Sequence, residues 1–288
     1  MAEFEVMSND EYRKREGLAS TDIKRMMKSM AYWKYYTDHP EKENDTPSLR
    51  FGRACHKFIL EPSDFDNEYA IMPKVDKRTK EGKATFEAFE KSSKGKELID
   101  EETYDKLTDM RNALNQTPYV KNLLNGEHEK SFFWKDAATG VKCKTRPDSF
   151  SIGKMGGLNV CVDYKTTSNA ETSAFMRSAI KFNYDVQAAH YIAGLEAIYG
   201  KEFVFIFIAQ ETEPPYSVNI LQPDEYFMAN GKEVRDSMLV TYKKCIELGE
   251  YPAYLGFKED NIHCNTLTVP AWIINAMEYE GFDGDGND

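Results

Sequence analysis

Several features that would mark a membrane or secreted protein are missing from this sequence. Its 288 residues include no apolar run of about 18 residues, the length that a membrane span needs. The N-terminal segment MAEFEVMSNDEYRKREG is charged and lacks the apolar stretch of a secretory signal. We therefore expect a cytoplasmic protein with no membrane association.

Cysteine is scarce and scattered. No two of the five cysteines are two or three positions apart, so the sequence lacks the paired-thiol signature of zinc or redox sites. An iron–sulfur cluster is also disfavoured, because it needs four grouped thiolates. An odd number of thiols in apolar surroundings indicates reduced cysteines.

Positive charge is in short supply, since the formal net charge is −11. Taken alone, this argues against a nucleic-acid-binding protein. A binding cleft, however, needs only local positive charge. The acid is partly concentrated in residues 276–288, which we predict to form a flexible tail, whereas KVDKRTKEGK at 74–83 is locally basic. An exposed loop and helix start is the favoured interpretation of that basic stretch over a DNA contact.

Helical periodicity dominates residues 17–125. STDIKRMMKSMAYWKYYT begins with a Ser/Thr/Asp cluster and continues as one predicted helix with apolar residues three and four apart. SLRFGRACHKFILEP predicts a second helix that ends before Pro62, and residues 80–93 and 101–115 predict two more.

The pattern changes to strands near residue 127. EKSFFW, GVKCKTRPDSF and GLNVCVDYKTT predict an antiparallel meander with glycine-bearing turns. Two helices, the apolar central strand EFVFIFIAQ, its neighbour YSVNILQ and a long helix follow. We expect one α+β domain over residues 1–275, with a helical part at 17–125, a catalytic meander and core at 127–250, and one mixed sheet flanked by helices.

Acidic residues of the predicted meander converge at one end of the sheet. Asp163 and Lys165 share a strand face because they are two residues apart. Asp148 is predicted to end the preceding strand, and Glu129 to begin the strand before it. Such carboxylates repel one another unless a cation neutralises them, and Mg²⁺ or Mn²⁺ suits oxygen ligands. With Lys165 placed to orient or deprotonate a water, these parts suit phosphodiester hydrolysis. The alternative is that all of them are ordinary turn and edge residues.

Motifs distributed along the chain resemble those of a known nuclease superfamily. RPD…VDYKTT resembles the PD-(D/E)xK motif, GRACH resembles the G-x-x-x-H motif of its RecB-like branch, and QAAHY resembles the Q-x-x-x-Y motif. Together with EKSFFW and GLASTDIKRMM, the set resembles RecE-type exonucleases, the exodeoxyribonuclease VIII proteins of phages and prophages, over residues 17–250. The matching positions are Gly52, His56, Glu129, Pro147, Asp148, Asp163, Lys165, Gln187 and Tyr191.

The resemblance implies a restriction-endonuclease-like fold and a metal centre that holds two Mg²⁺ or Mn²⁺ ions. Its implied ligands are His56, Glu129, Asp148, Asp163 and the backbone carbonyl of Tyr164. We interpret the remaining histidines as core or surface residues; they are His39, His128, His190 and His263.

Further roles also follow from the resemblance. Lys165 would position or activate the water, and Gln187 and Tyr191, one helical turn apart, would face the site and the DNA backbone. Glu127 remains an alternative to Glu129, because the start of the strand is uncertain from sequence.

Phosphate contacts are implied less specifically. Arg53 and Arg146 lie beside the motifs and suit bidentate phosphate binding. A comparison with lambda exonuclease indicates a 5′-phosphate pocket formed by Ser20, Thr21 and Arg146. Alternatively, Ser20 and Thr21 only cap the first helix.

The implied activity is that of a Mg²⁺-dependent double-strand DNA exonuclease that works 5′ to 3′ and leaves a 3′ single strand for recombination. The resemblance also implies a homo-oligomeric ring, a trimer or tetramer, that threads duplex ends, and a RecT-like single-strand annealing protein as partner. Two alternatives stay open: a structure-specific or restriction-like endonuclease, and a catalytically silent DNA-binding protein on the same fold.

Overall fold

The computed structural model describes residues 3–40, 45–261, 264–271 and 274. The predicted acidic tail at 276–288 and His263 lie outside the described residues. Within the described part of the chain, no helix combines the length and apolar character needed to cross a membrane.

The N-terminal part is mainly helical, as predicted. Its elements are β1 (Glu3–Glu5), α1 (Asn9–Lys14), α2 (Ser20–Lys28), α3 (Met30–Asp38), α4 (Pro47–Leu60), α5 (Phe65–Glu68), β2 (Tyr69–Ile71), α6 (Lys80–Ser92), β3 (Glu97–Ile99), α7 (Glu101–Gln116) and α8 (Val120–Leu123).

The remaining elements alternate between strands and helices. They are β4 (Glu127–His128), β5 (Ser131–Lys135), β6 (Lys142–Thr145), β7 (Ser149–Met155), β8 (Leu158–Thr167), α9 (Thr172–Lys181), α10 (Tyr184–Tyr199), β9 (Val204–Glu211), β10 (Val218–Leu221) and α11 (Glu225–Leu248).

One predicted helix is two helices in the structure. Ser29 separates α2 from α3 with an extended backbone, at φ −176° and ψ 158°. Its side chain accepts a hydrogen bond from the backbone N–H of Tyr32, which caps the new helix. The apolar periodicity continues through the break, so it did not reveal the boundary.

The central sheet is mixed, as predicted, with strand order β10-β9-β8-β7-β4. Strands β8 and β9 are parallel, and the other neighbouring strands are antiparallel. The expectation of a single sheet was wrong: β1, β5 and β6 form a second sheet, and β2 and β3 a third.

The predicted strand GVKCKTRPDSF is also divided. Strand β6 pairs with β5 in the second sheet, whereas β7 pairs with β8 in the central sheet. The break falls at residues 146–148, where Pro147 has no N–H for a ladder and restricts the residue before it. This break sets the position of the acidic residues described below.

Strand β8 separates two hydrophobic cores. Val160, Val162 and Tyr164 face a core with α4 and α7. Cys161, on the opposite face, packs in a core that includes residues of α9 and α10. The alternation places Asp163 on the α10 side of the sheet.

Candidate metal centre

A gap in the central sheet creates the site. Strand β7 pairs with β8 only as far as the Ser149–Val162 pair, and the chain then turns away at Asp148. The Oδ2 atom of Asp148 accepts a hydrogen bond from the backbone N–H of Tyr164, at 2.7 Å. A strand residue points its N–H and C=O to the same side, so the carbonyl of Tyr164 faces this gap as well. The predicted end of a strand at Asp148 was therefore wrong; Asp148 precedes β7.

Glu129 reaches the gap from a turn. The prediction that it begins a strand was wrong. It lies between β4 and β5 with φ 51°, a left-handed conformation that few residues other than glycine adopt. Gly126 allows this segment to approach β7, since a Cβ there would lie 2.2 Å from the carbonyl oxygen of Phe150. The Oε2 atom of Glu129 accepts a 2.6 Å hydrogen bond from Nε of Arg146.

The structure also distinguishes the two candidate glutamates. Glu127 is exposed and pairs with Lys130. Glu129 instead joins His56 and Asp148, and one ligand atom of each residue lies within 4.8 Å of the others. The donor set of one imidazole and two carboxylates suits a divalent cation.

His56 reaches Glu129 and Asp148 from the face of the sheet on which α4 packs. On α4, the buried Cys55 and Phe58 face the core. The Nδ1 atom of His56 lies 3.4 Å from Oδ2 of Asp148, and its ring packs edge-on against Tyr164 at 5.2 Å. We call His56, Glu129, Asp148 and Asp163 the acidic centre.

Asp163 completes the acidic centre from β8. Its Oδ2 atom lies 2.5 Å from Nζ of Lys165, as their shared face predicts. Its Oδ1 atom accepts a 2.8 Å hydrogen bond from Nε2 of Gln187, which also donates to the hydroxyl of Tyr191 at 3.0 Å. The Oδ2 atom of this fully buried carboxylate is thus held by the Lys165 ammonium.

Crowding shifts the carboxylate pKa values. Burial, with the charge of Asp148 next, raises the pKa of Glu129 to about 7, although Arg146 opposes the shift. Burial also raises the pKa of Asp163, against the opposing charge of Lys165. Both shifts mean that negative charge is costly here, and a bound cation would relieve that cost.

The basic partners respond in the opposite sense. Burial disfavours the charged form of His56, but the Asp148 carboxylate outweighs it and raises the pKa of His56. Burial likewise opposes charge on Lys165, yet Asp163 and then Asp148 raise its pKa. Burial acts to raise the pKa of Asp148, but His56 and Lys165 lower it overall.

Lys24 is a residue of the site that the sequence did not single out, although it lies within the segment GLASTDIKRMM. Its Nζ atom donates to Oε1 of Gln187 at 2.9 Å. Burial, and then the charge of Lys165, lowers the pKa of Lys24 to about 7. The signal in the sequence was slight: Lys24 lies one helical turn after Ser20 on α2.

Of the two arginines predicted to contact phosphate, Arg146 lies at the site and Arg53 pairs with Asp45. Arg146 is half-buried in the site, where it binds Glu129 and donates to the carbonyl of Met7 at 2.9 Å. Arg53 is instead held by Asp45 through bonds of 2.8 and 3.1 Å.

The helix-cap interpretation of Ser20 and Thr21 was wrong. Ala19 is the N-cap of α2, and its N–H donates to the side chain of Asp22 at 2.8 Å. Ser20 is buried and Thr21 is exposed in the first turn of the helix. The phosphate role of these two residues remains a prediction.

The sheet, the gap and the acidic centre define a PD-(D/E)xK nuclease fold. In sequence, residues 19–261 match the model of a family described as a PDDEXK-like domain of unknown function, DUF3799. The chain belongs to this family. None of the curated proteins matches the sequence.

A solved structure agrees on the fold. The chain is similar to a crystal structure from Eubacterium rectale described as a "Putative exonuclease", with a TM-score of 0.60 and 13% sequence identity; the match covers 94% of this chain and 98% of that one. A second match, the crystal structure of SSO0001, has a TM-score of 0.28 and 10% identity over 78% and 87% of the two chains, which is too weak to indicate a shared fold.

Proposed function

We propose that the chain is a Mg²⁺-dependent double-strand DNA exonuclease of the RecE type, encoded by a phage or prophage. It would hydrolyse the 5′-ended strand in the 5′ to 3′ direction and leave a 3′ single strand for recombination by strand annealing. The observation that carries the proposal is the meeting of His56, Glu129 and Asp148 beside the Asp163–Lys165 pair.

The acidic centre would hold the cation. His56, Glu129, Asp148, Asp163 and the carbonyl of Tyr164 are the proposed ligands for two Mg²⁺ or Mn²⁺ ions. A divalent cation supplies Lewis acidity, which stabilises the charge that develops on a phosphate as it is attacked.

Protein side chains would do the rest. Lys165, held 2.5 Å from Asp163, places an ammonium where it can orient the attacking water or stabilise the developing charge. Gln187 fixes the Asp163 carboxylate, and Lys24 in turn fixes Gln187. Lys24 is therefore a positioning residue. Arg146 holds Glu129 toward Asp148 and is the proposed neighbour of a 5′-phosphate, together with Ser20 and Thr21.

The oligomer and the partner are proposed from the resemblance. A ring of three or four subunits with an acidic exterior and a positive channel would reconcile the net charge of −11 with DNA binding. A RecT-like annealing protein would load on the exposed 3′ strand.

End-labelled duplexes test the proposal. With Mg²⁺, the protein should degrade a linear duplex from its 5′-phosphorylated ends and leave a covalently closed circle intact. A 5′-hydroxyl duplex should be degraded more slowly. Rapid degradation of the circle would instead identify an endonuclease, and recession of the 3′ ends would overturn the polarity.

A further inference from the structure

A groove opens beside the acidic centre. It lies between the first turn of α4, the end of β8 and the α9–α10 turn, with a volume of about 490 Å³. Its lining includes Thr166, the residue after Lys165. Tyr184 connects the two regions, because its ring lines the groove and lies 5.1 Å from Nζ of Lys165. We call this the hydroxyl groove.

The lining of the hydroxyl groove has an unusual composition for so acidic a chain. Asp and Glu make up 48 of the 288 residues, yet neither is among the described residues that line the groove. Six hydroxyl-bearing Ser and Thr side chains and one lysine, Lys106, line it instead. Lys106 pairs with the exposed Glu213 at 2.8 Å, outside the lining. Hydroxyl groups in a lining without carboxylates suit an anionic ligand such as a phosphate, and Lys106 adds a charge that it shares with Glu213.

Aromatic rings also line the hydroxyl groove. Phe182, at the rim, leaves 50% of its surface exposed. One side of its ring is stacked on Tyr184, with ring centroids 5.9 Å apart and planes at 30°. Phe51 faces the groove from α4. An exposed aromatic beside hydroxyls and a cation is the combination that binds single-stranded nucleic acids, where bases stack and phosphates are held by charge.

We infer that the hydroxyl groove binds one nucleotide of the strand being cleaved, with its base stacked on Phe182 and its phosphate directed to the hydroxyls near Thr166. The inference rests on the proposed function, since it places this nucleotide next to the one at the acidic centre. The volume lies within the range of about 300–1,000 Å³ usual for small-ligand sites.

A coupling experiment tests the inference. Binding of a 5′-phosphorylated duplex is measured by fluorescence anisotropy in Ca²⁺, which binds oxygen ligands with looser geometry than Mg²⁺ and is expected to suppress turnover. Wild type and Phe182→Ala are each compared on intact DNA and on DNA that lacks a single base, at successive positions from the 5′ end.

At one position, removing the base should weaken wild-type binding about tenfold and leave Phe182→Ala unaffected. Phe182→Trp should restore both affinity and base dependence. Ile180→Ala, which removes a 53% exposed side chain near the end of α9 and outside the groove lining, should behave as wild type.

Two results would overturn the inference and leave the proposed function standing. In the first, wild type digests DNA, but Phe182→Ala changes the affinity for intact DNA and for base-deleted DNA equally at every position. In the second, free dAMP binds in a Phe182-dependent way, but removal of a base from the strand never changes the effect of Phe182→Ala. That result would identify a product site. If wild type neither binds nor digests DNA, the proposed function fails and the groove assignment fails with it.

Discussion

Two adjacent regions at the end of strand β8 differ sharply in charge. The acidic centre concentrates three carboxylates and a histidine, whereas the hydroxyl groove has a lining without carboxylates among the described residues. The contact between Lys165 and Tyr184 links them. In the proposed function, one region would hold cations and the other would hold the anionic strand. Substitutions should therefore affect turnover and strand binding separately.

The largest effect should come from Asp163→Asn. The amide removes a buried charge from the acidic centre, and we expect Mg²⁺-dependent turnover to fall by about 10³-fold. Binding of DNA in Ca²⁺ should fall far less, since the hydroxyl groove is unchanged. Digestion rates and anisotropy measure the two quantities.

Asp45→Asn is the matched control. It makes the same chemical change at an exposed aspartate that pairs with Arg53. Turnover by Asp163→Asn within tenfold of wild type would show that the acidic centre is not the reacting site.

Lys165→Met should lower turnover by about 10²-fold, because it removes the ammonium group beside Asp163. The KM for DNA should change little, since the remaining groove contacts persist. Single-turnover digestion with saturating enzyme measures this step. A large increase in KM with normal kcat would instead assign Lys165 to strand binding.

The pH dependence of stability tests the fold independently of the acidic centre and the hydroxyl groove. His190 is fully buried on α10, where its Nε2 contacts the carbonyls of Leu18 and Lys144. Burial, and then Arg235, lowers its pKa to about 3. The unfolded chain binds this proton below about pH 6.5 and the folded chain does not. Stability should therefore fall as the pH drops, by about 2 kcal/mol between pH 7 and 5.

Urea unfolding at the two pH values measures the effect. In His190→Gln the loss of stability between pH 7 and 5 should be smaller by that amount, whereas His39→Gln, a change at the end of α3, should match wild type. An unchanged pH dependence in His190→Gln would contradict the assignment.

Lys24→Met should have the smallest effect, about a tenfold decrease in kcat. In the proposed role, Lys24 acts through Gln187, which holds Asp163. In a Gln187→Ala background, Lys24→Met should have no further effect, and Lys24→Arg should retain part of the activity. Additive losses in the double variant would indicate that Lys24 acts independently of Gln187.

The comparison of the two regions also shows what sequence could predict. Period-two alternation was sufficient to place Asp163 and Lys165 on one face, and helical spacing placed Gln187 beside Tyr191. These are local relations, and the structure contains both contacts. The mixed central sheet and its flanking helices were predicted from the order of helical and strand-like segments along the chain.

Long-range relations were not predictable. The Lys24–Gln187 contact joins residues 163 positions apart, and the hydroxyl groove is assembled from several separate segments. The break at Pro147 was visible as a proline, but not the transfer of the chain from one sheet to another. Tertiary pairing decides such features, and nothing in a short window encodes them.

Metal binding tests the central claim most directly. Titration of the protein with Mn²⁺, followed by electron paramagnetic resonance of the free ion, should show saturable binding to wild type. The same titration of Asp148→Asn should show binding weakened by at least about tenfold, with Asp45→Asn matching wild type. Saturable binding that is unchanged in Asp148→Asn, or no binding by wild type, would contradict a metal centre at the gap between β7 and β8.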